Sequence, residues 1–178
     1  SIGLMNGLGD IAKSWDWSVE QLAGRIDTIV HGTTVTTNAT LTRTGATTGL
    51  ITTEGLRDAL EMRRGIREEQ YNIRYTNVPP LVPRYLRRGI AGRLDRRGRE
   101  LAPLSLDDVR DAIELFKDEG VEAVAICFMN AFANPDHEVR AAELVAAELP
   151  GAYLTASSDL LPSVRFYNRV STTVLNAY

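Results

Sequence analysis

Apolar residues recur along the chain with two different periods, and short polar breaks separate the segments. Spacings of three and four residues are typical of a helix with one buried face, and short β-branched or wholly apolar runs are typical of strands. Ser18 and Gln21 form a capping-box pair at the start of one helix. These signals predict helices over 3–15, from Ser18, from Thr33 or Thr34 to Arg43, from Thr53 to about Arg63, from Ser105 to Gly120, from Asn134 to about Leu149 and from Val164, and strands over 27–31, 48–52, 121–128 and 152–156.

The middle of the chain has a different character. Three prolines within 77–83 remove backbone donors and fix φ, so we expect no regular element there. The segments 85–95 and 99–104 flank an Arg-Arg-Gly tripeptide, which predicts the turn of a β-hairpin. The chain is thereby expected to have three parts, namely residues 1–76, a Pro-rich loop and small hairpin annex over 77–104, and residues 105–178.

Strands alternate with helices on both sides of this annex. That order predicts an α/β layered fold with a mixed sheet in which some strands pair in parallel. Ser1 is not a methionine, and Tyr178 closes a helical pattern. We therefore expect the chain to be a piece of a longer polypeptide, truncated at both ends.

Composition narrows the class of protein. Of the 178 residues, 44% are hydrophobic and 24% are charged, which is usual for a soluble globular protein. The net charge of -3 gives no electrostatic basis for a nucleic-acid or membrane partner, and no apolar stretch is long enough to span a bilayer. Cys127 is the only cysteine, which excludes an internal disulfide and favours the cytoplasm. Its apolar neighbours indicate a core residue rather than a reactive thiol.

Threonine is concentrated after the first predicted strand, with nine threonines within sixteen residues. A strand that ends in His31 and Gly32, followed by a helix start at Thr33 and Thr34, aims free N–H groups and the positive end of the helix dipole at one spot. Gly32 lets a ligand oxygen approach closely, and Asn38, one turn on, faces the same side. This arrangement predicts a site for a phosphate or carboxylate, with ordinary N-capping as the alternative.

The end of the next predicted strand repeats the arrangement. Thr52, Thr53 and Gly55 open the following helix, and Arg57 and Asp58 lie one turn in. Because ligands of open α/β sheets bind beyond the carboxyl ends of the strands, we expect the two helix starts to converge on one cleft. The alternatives are capping by Thr53 alone and a surface ion pair between Arg57 and Asp58.

Arginine is concentrated in the middle segment, with seven arginines between Arg84 and Arg99. Such a ribbon is typical of a surface that docks RNA, a phosphate or an acidic partner subunit. Because the net charge is negative and only Tyr85 is interleaved with the arginines, we favour a solvated face.

Familiar catalytic motifs are absent from the sequence. The two histidines, His31 and His137, lack the spacing of a zinc pair. There is no Gly-x-Ser-x-Gly elbow and no Walker A sequence. We therefore predict no metal site and assign no catalytic residue.

Four phrases of the sequence carry a resemblance to a known family. They are HGTTVTTNATLTRTGATTGLITTEGLRD, PLVPRYLRRGIAGRLDRRG, GVEAVAICFMNAFANPDHE and LPSVRFYNRVSTTVLNAY. In this order they are similar to the N-terminal region of hydantoinase A / 5-oxoprolinase proteins, a family that includes N-methylhydantoinase A and subunits of acetone and acetophenone carboxylases. The resemblance implies an actin-like, sugar-kinase-like ATPase fold. It also implies an enzyme that uses ATP and Mg2+ to phosphorylate a carbonyl or enol oxygen.

The resemblance implies more than one function. The first is hydrolysis of a cyclic amide such as a hydantoin, an N-methylhydantoin or 5-oxoproline, and the alternative is a subunit of an ATP-dependent ketone carboxylase. A non-catalytic scaffold that binds a partner subunit is an alternative of another class. The expected partners are a small-molecule substrate, a hydantoinase B-type subunit and a second copy of the chain.

The glycine-rich phosphate loop of the family would precede Ser1, so we expect the isolated chain to be inactive. The family signature falls on residues that the resemblance places in the nucleotide or substrate cleft, namely His31, Gly32, Thr33, Thr34, Asn38, Thr52, Thr53, Gly55, Arg57 and Asp58.

Overall fold

A computed structural model describes residues 2–30, 32 and 34–178. Contacts between Cα atoms divide the chain into two units, Ser1–Thr36 and Thr37–Tyr178. In the first unit, the predicted capping box is confirmed. The Gln21 amide donates to Ser18 Oγ at 3.2 Å, and the Ser18 amide donates to Gln21 Oε1 at 2.9 Å. None of the described helices combines the length and apolarity that a bilayer crossing needs.

The elements follow one another as an alternation of helices and strands. In chain order they are α1 (Ile2–Ser14), α2 (Val19–Ala23), α3 (Val35–Thr42), β1 (Thr48–Thr53), α4 (Ala59–Met62), a 3-10 turn (Arg84–Leu86), β2 (Arg87–Ile90), β3 (Arg93–Leu94), β4 (Glu100–Ala102), α5 (Leu106–Asp118), β5 (Ala123–Cys127), α6 (Asp136–Glu148), β6 (Tyr153–Ala156), α7 (Ser157–Leu160) and α8 (Phe166–Ala177).

Four parallel strands form the main sheet of the second unit, in the order β2-β1-β5-β6. Leu50 of β1 lies opposite Arg87 of β2 on one side and Ala125 of β5 on the other. Both β1 and β5 are buried along their whole length. Helices α5 and α6 pack beside each other against the sheet, and α8 packs against β1, β5 and β6. Cover on both faces explains why the central strands are so apolar.

The helices that flank the central strands form where the sequence predicts them. The Asp108 amide donates to Ser105 Oγ at 3.2 Å, so Ser105 caps α5 as expected. Gly120 follows α5 with a φ of 62°, the left-handed conformation that a glycine tolerates at a helix end. Val109, Ile113 and Phe116 form the buried stripe of this helix.

The predicted strand over 27–31 is wrong for its described residues. Residues 27–30 form no strand, and His31 lies outside the described residues. The side chains of Ile29 and Val30 are 55% and 92% exposed. β-branched residues favour strands because they pack on a pleated, half-buried surface, and here no such surface covers them.

The helix predicted from Thr53 to Arg63 is also wrong in its first half. Thr53 is the last residue of β1, and only Ala59–Met62 is helical. Gly55 has a φ of 81°, which turns the chain out of the strand before a helix can begin.

The predicted hairpin is confirmed in a shorter form. Arg93 of β3 lies opposite Ala102 of β4 in an antiparallel pair, and Gly98 in the turn has a φ of 80°. The first predicted hairpin segment, 85–95, is wrong in its first half, because Arg87–Ile90 pairs with β1 in the main sheet. The division of the chain after residues 76 and 104 stays a prediction.

The contact between β1 and α5 leaves no room for a side chain at Gly49. A Cβ at this position would lie 2.6 Å from the Phe116 ring, and both residues are buried. We expect Gly49→Ala to lower the free energy of unfolding by about 1–3 kcal/mol, because the ring and the strand must separate. Urea unfolding measures this.

Gly151→Ala is the matched control, since no heavy atom lies within 4 Å of its Cβ position. Its free energy of unfolding should stay within about 0.5 kcal/mol of the wild type. Equal unfolding midpoints for the two variants would contradict the packing argument.

Candidate functional site

Two threonines join the carboxyl ends of the central strands. Thr52 Oγ1 donates to the Cys127 carbonyl at 2.8 Å, and the Met129 amide donates to Thr53 Oγ1 at 2.9 Å. Both threonines are buried. The prediction that Thr53 caps a helix is therefore wrong, because its hydroxyl bonds to the segment that follows β5 instead.

The turn after β1 exposes its backbone. Gly55 is exposed, and no heavy atom lies within 4 Å of the position that a Cβ would take. A ligand can therefore approach the main chain here without meeting a side chain.

Asp58 is the centre of a cluster of arginines. Arg84 Nε and Nη2 donate to its two carboxylate oxygens at 2.9 and 3.0 Å. Arg87 Nη1 lies 3.7 Å from the same carboxylate, and Arg57 Nε lies 4.0 Å away. The main partner of Asp58 is thus Arg84 and not Arg57, the neighbour that the sequence suggested. The Arg84 guanidinium holds the pKa of Asp58 below its ordinary value.

The solvated face predicted for the arginine-rich segment is wrong at Arg87. This side chain is only 2% exposed. Its Nε donates to the Val82 carbonyl at 3.0 Å, and its Nη1 donates to Glu61 at 3.1 Å. Because the guanidinium is paired and hydrogen-bonded, a charged residue can occupy a buried position of β2. Arg96 and Arg97 in the hairpin turn are exposed, as predicted.

The residues predicted to form the first half of the cleft are exposed wherever the structure describes them. Gly32 and Thr34 are exposed, and Asn38 is exposed on α3. His31 and Thr33 lie outside the described residues. The convergence of these residues with the end of β1 stays a prediction.

A buried carboxylate connects the ends of β5 and β6, and no local sequence pattern predicted it. Glu138 of α6 has no exposed surface. Its Oε1 accepts the Phe128 amide at 2.8 Å and the Ser157 hydroxyl at 2.6 Å, and its Oε2 accepts the Ser158 amide at 2.7 Å. Three donors therefore satisfy a carboxylate that is fully removed from water.

Arg169 of α8 completes this network from the other side. Its Nη1 donates to Ser157 Oγ at 3.0 Å, and its Nη2 donates to the Phe128 carbonyl at 2.8 Å. The guanidinium lies near the rings of Phe132 and Phe166, 5.8 and 5.7 Å from their centres. Arg169 is fully buried, and its Nε has no hydrogen-bond partner among the described residues.

One mixed cluster of ligating side chains exists in the described part of the chain. Glu100, Asp136 and His137 place ligand atoms within 4.8 Å of one another. His137 Nε2 lies 2.9 Å from Glu100, and Arg140 Nη1 lies 3.4 Å from Asp136. The two carboxylates thus already have partners, and the contact between His137 and Glu100 ties α6 to the hairpin.

Cys127 is a core residue, as the sequence indicates. It is fully buried at the end of β5, and burial raises the pKa of its thiol to about 12. The thiolate needed for nucleophilic chemistry therefore does not form near neutral pH.

The pairing of Asp58 with Arg84 should affect both the pKa of Asp58 and the pH dependence of stability. Because the pKa of Asp58 is lowered in the folded protein, the pair stabilises the fold above the ordinary pKa near 3.8 and ceases to do so as the pH falls through the lowered value. In an NMR titration, Arg84→Ala should raise the pKa of Asp58. Arg96→Ala removes the same charge from an exposed position and should leave it unchanged. Equal shifts in both variants would contradict the specific pairing.

Comparison with known proteins relates this geometry to a family. The family model that describes the hydantoinase/oxoprolinase N-terminal region matches residues 2–149 of this chain. The chain is 39% identical to the caprolactamase subunit alpha of Pseudomonas jessenii, over 100% of the chain and 26% of that relative. It is 35% identical to the acetophenone carboxylase gamma subunit of Aromatoleum aromaticum, again over 100% of the chain and 26% of the relative. The chain thus spans about a quarter of the length of these relatives.

Solved structures show the same likeness. The crystal structure of the ATP-dependent caprolactamase from Pseudomonas jessenii superposes with a TM-score of 0.92, over 100% of this chain and 26% of that chain, at 39% identity. Nucleotide-free acetone carboxylase superposes with a TM-score of 0.86, over 99% of this chain and 27% of that chain, at 28% identity. These neighbours confirm the predicted actin-like, ATPase-type α/β fold. The chain belongs to the hydantoinase/oxoprolinase family and corresponds to its N-terminal region.

Proposed function

We propose that this chain is part of an ATP-dependent enzyme that opens a cyclic amide. The likeness to caprolactamase carries the proposal, because it extends over the whole chain in both sequence and structure. An amide carbonyl is a poor electrophile, and phosphorylation of its oxygen by ATP makes the carbon reactive toward water. The proposed contribution of this chain is to line the cleft in which the nucleotide or the substrate binds.

The end of β1 is the part of the chain best suited to this role. Ligands of open α/β sheets bind beyond the carboxyl ends of the strands. Here Gly55 offers exposed backbone, and the Thr52 and Thr53 hydroxyls fix the strand end behind it. We propose that Gly55 and Arg57 face the ligand, and that Thr52 and Thr53 hold the turn in place.

Two carboxylates of this region, Asp58 and Glu138, are not available to Mg2+. Mg2+ binds through carboxylates and water. Asp58 is bound by Arg84, and Glu138 is buried with three donors around it. Neither carboxylate is free for a cation, so we assign no step to a metal held by these residues.

A ketone carboxylase subunit is the second candidate. The observation in its favour is the likeness to the acetophenone carboxylase gamma subunit and to acetone carboxylase. Both reactions use one principle, since ATP can activate an enol oxygen as well as an amide oxygen. The relatives are named as subunits, and we propose a second, hydantoinase B-type subunit as partner and the cytoplasm as location.

ATP hydrolysis by the complete protein that carries this chain, together with its partner subunit, tests the proposal. We expect hydrolysis to be stimulated by one of caprolactam, hydantoin or 5-oxoproline. Caprolactam and its ring-opened product 6-aminohexanoate form a matched pair, because the product has no cyclic amide left to activate and should not stimulate hydrolysis.

Three other outcomes have distinct meanings. Stimulation only by acetone or acetophenone with bicarbonate would replace the amide hydrolase by the carboxylase. Stimulation by 6-aminohexanoate to the same extent as by caprolactam would contradict amide activation. No hydrolysis with any substrate, in a folded complex, would support the scaffold that the sequence left open.

A further inference from the structure

We propose that Arg57, Arg84 and Arg88 bind the phosphate group of an organic ligand. The three side chains line one cavity of about 510 Å3, together with Tyr85 and Leu115. The cavity lies beside β2. Among the residues that the structure describes, β2 is an edge strand of the main sheet. The assignment shares Arg57 with the cleft proposed above, but it rests on the side chains of this cavity and does not require the proposed reaction.

The lining of this cavity is cationic and has no carboxylate in it. Arg88 is half-buried, yet no described residue accepts a hydrogen bond from it or forms an ion pair with it. Arg57 has Asp58 as its nearest carboxylate, only at 4.0 Å. A guanidinium that is partly removed from water gains from an anionic partner. Two of the three cations therefore have unused capacity for a ligand.

The third cation is held in position before any ligand binds. Arg84 donates from Nε and Nη2 to both oxygens of Asp58, which fixes the plane of the guanidinium and leaves Nη1 uncommitted. Asp58 in turn lies 3.7 Å from the buried Arg87. A side chain that is already ordered loses less conformational entropy on binding, so the site is pre-organised.

The number and charge of the donors favour a phosphate over a carboxylate. A carboxylate has two oxygens and one negative charge, and a single guanidinium can satisfy it. A phosphate has three terminal oxygens and nearly two charges, which suit three guanidinium groups that line one cavity. Tyr85 offers its phenol as one further donor.

The cavity has room for more than the phosphate. Its volume lies within the range of about 300–1,000 Å3 that is usual for small-molecule sites. Tyr85, which is 56% exposed, and Leu115 also line the cavity and supply apolar atoms that can contact the rest of the ligand. A phosphate monoester or a polyphosphate fits this combination.

The arginines of the cavity come from two segments that the sequence analysis treated separately. Arg57 was predicted as a cleft residue from the TTEGLRD phrase, whereas Arg84 and Arg88 belong to the arginine-rich segment that was predicted to be solvated. The structure brings the two segments together at one cavity. Part of the arginine-rich segment thus gains the phosphate-binding role that the sequence analysis named but did not favour.

Isothermal titration of the complete protein with pyrophosphate tests the assignment. We expect Arg88→Ala and Arg57→Ala each to weaken binding by about tenfold or more, because each loses a hydrogen bond to a charged group. Arg96→Ala removes the same charge from the exposed hairpin turn and should weaken binding less than about twofold. Arg57 lies in a turn outside the sheet, so its variant stays informative if Arg88→Ala fails to fold.

Two results would overturn the assignment. One is a wild-type protein that does not bind pyrophosphate. The other is an equal loss of affinity in Arg57→Ala and Arg96→Ala, which would reduce the effect to general electrostatics. Where binding is specific, competition by a non-hydrolysable ATP analogue identifies the phosphate as that of a nucleotide, and its absence identifies a different phosphate compound.

Discussion

The carboxylate of Glu138 fixes the carboxyl ends of the strands, the edge of the sheet on which the candidate site depends. It lies inside the protein and bonds to the Phe128 amide after β5 and to Ser157 and Ser158 after β6. Arg169 binds the Ser157 hydroxyl and the Phe128 carbonyl and so closes a ring of hydrogen bonds. Parallel strands have no tight turn to align their ends, and this ring aligns them instead.

The central strand is tied into the same edge. Thr52 bonds to the Cys127 carbonyl and Thr53 to the Met129 amide, so side chains link β1 to the two neighbours of Phe128, the residue that Glu138 and Arg169 bind. Side-chain hydrogen bonds therefore connect three adjacent strand ends. A rigid edge suits a ligand site, because catalytic and binding groups must be held within fractions of an ångström. Family membership gives this edge its proposed use, namely the cleft of an ATP-dependent enzyme.

Local patterns predicted the elements but not the contacts between distant residues. The apolar runs of β1 and β5 and the stripe of α5 have one dominant period, and all three form as predicted. Glu138 and Arg169 have ordinary polar positions in helical patterns, so nothing local marks them as buried partners. Arg87 was missed for the same reason, since an arginine enters a buried strand only when distant acceptors such as Val82 and Glu61 are present.

The free energy of unfolding of Glu138→Ala, compared with that of Glu143→Ala on the same helix, tests the central claim most directly. Glu138→Ala leaves two buried donors and one partly buried donor without an acceptor, and we expect a loss of about 3 kcal/mol or more. Glu143 is exposed, and its replacement should change stability by less than about 0.5 kcal/mol. Equal, small effects in the two variants would show that the sheet edge does not depend on the buried carboxylate.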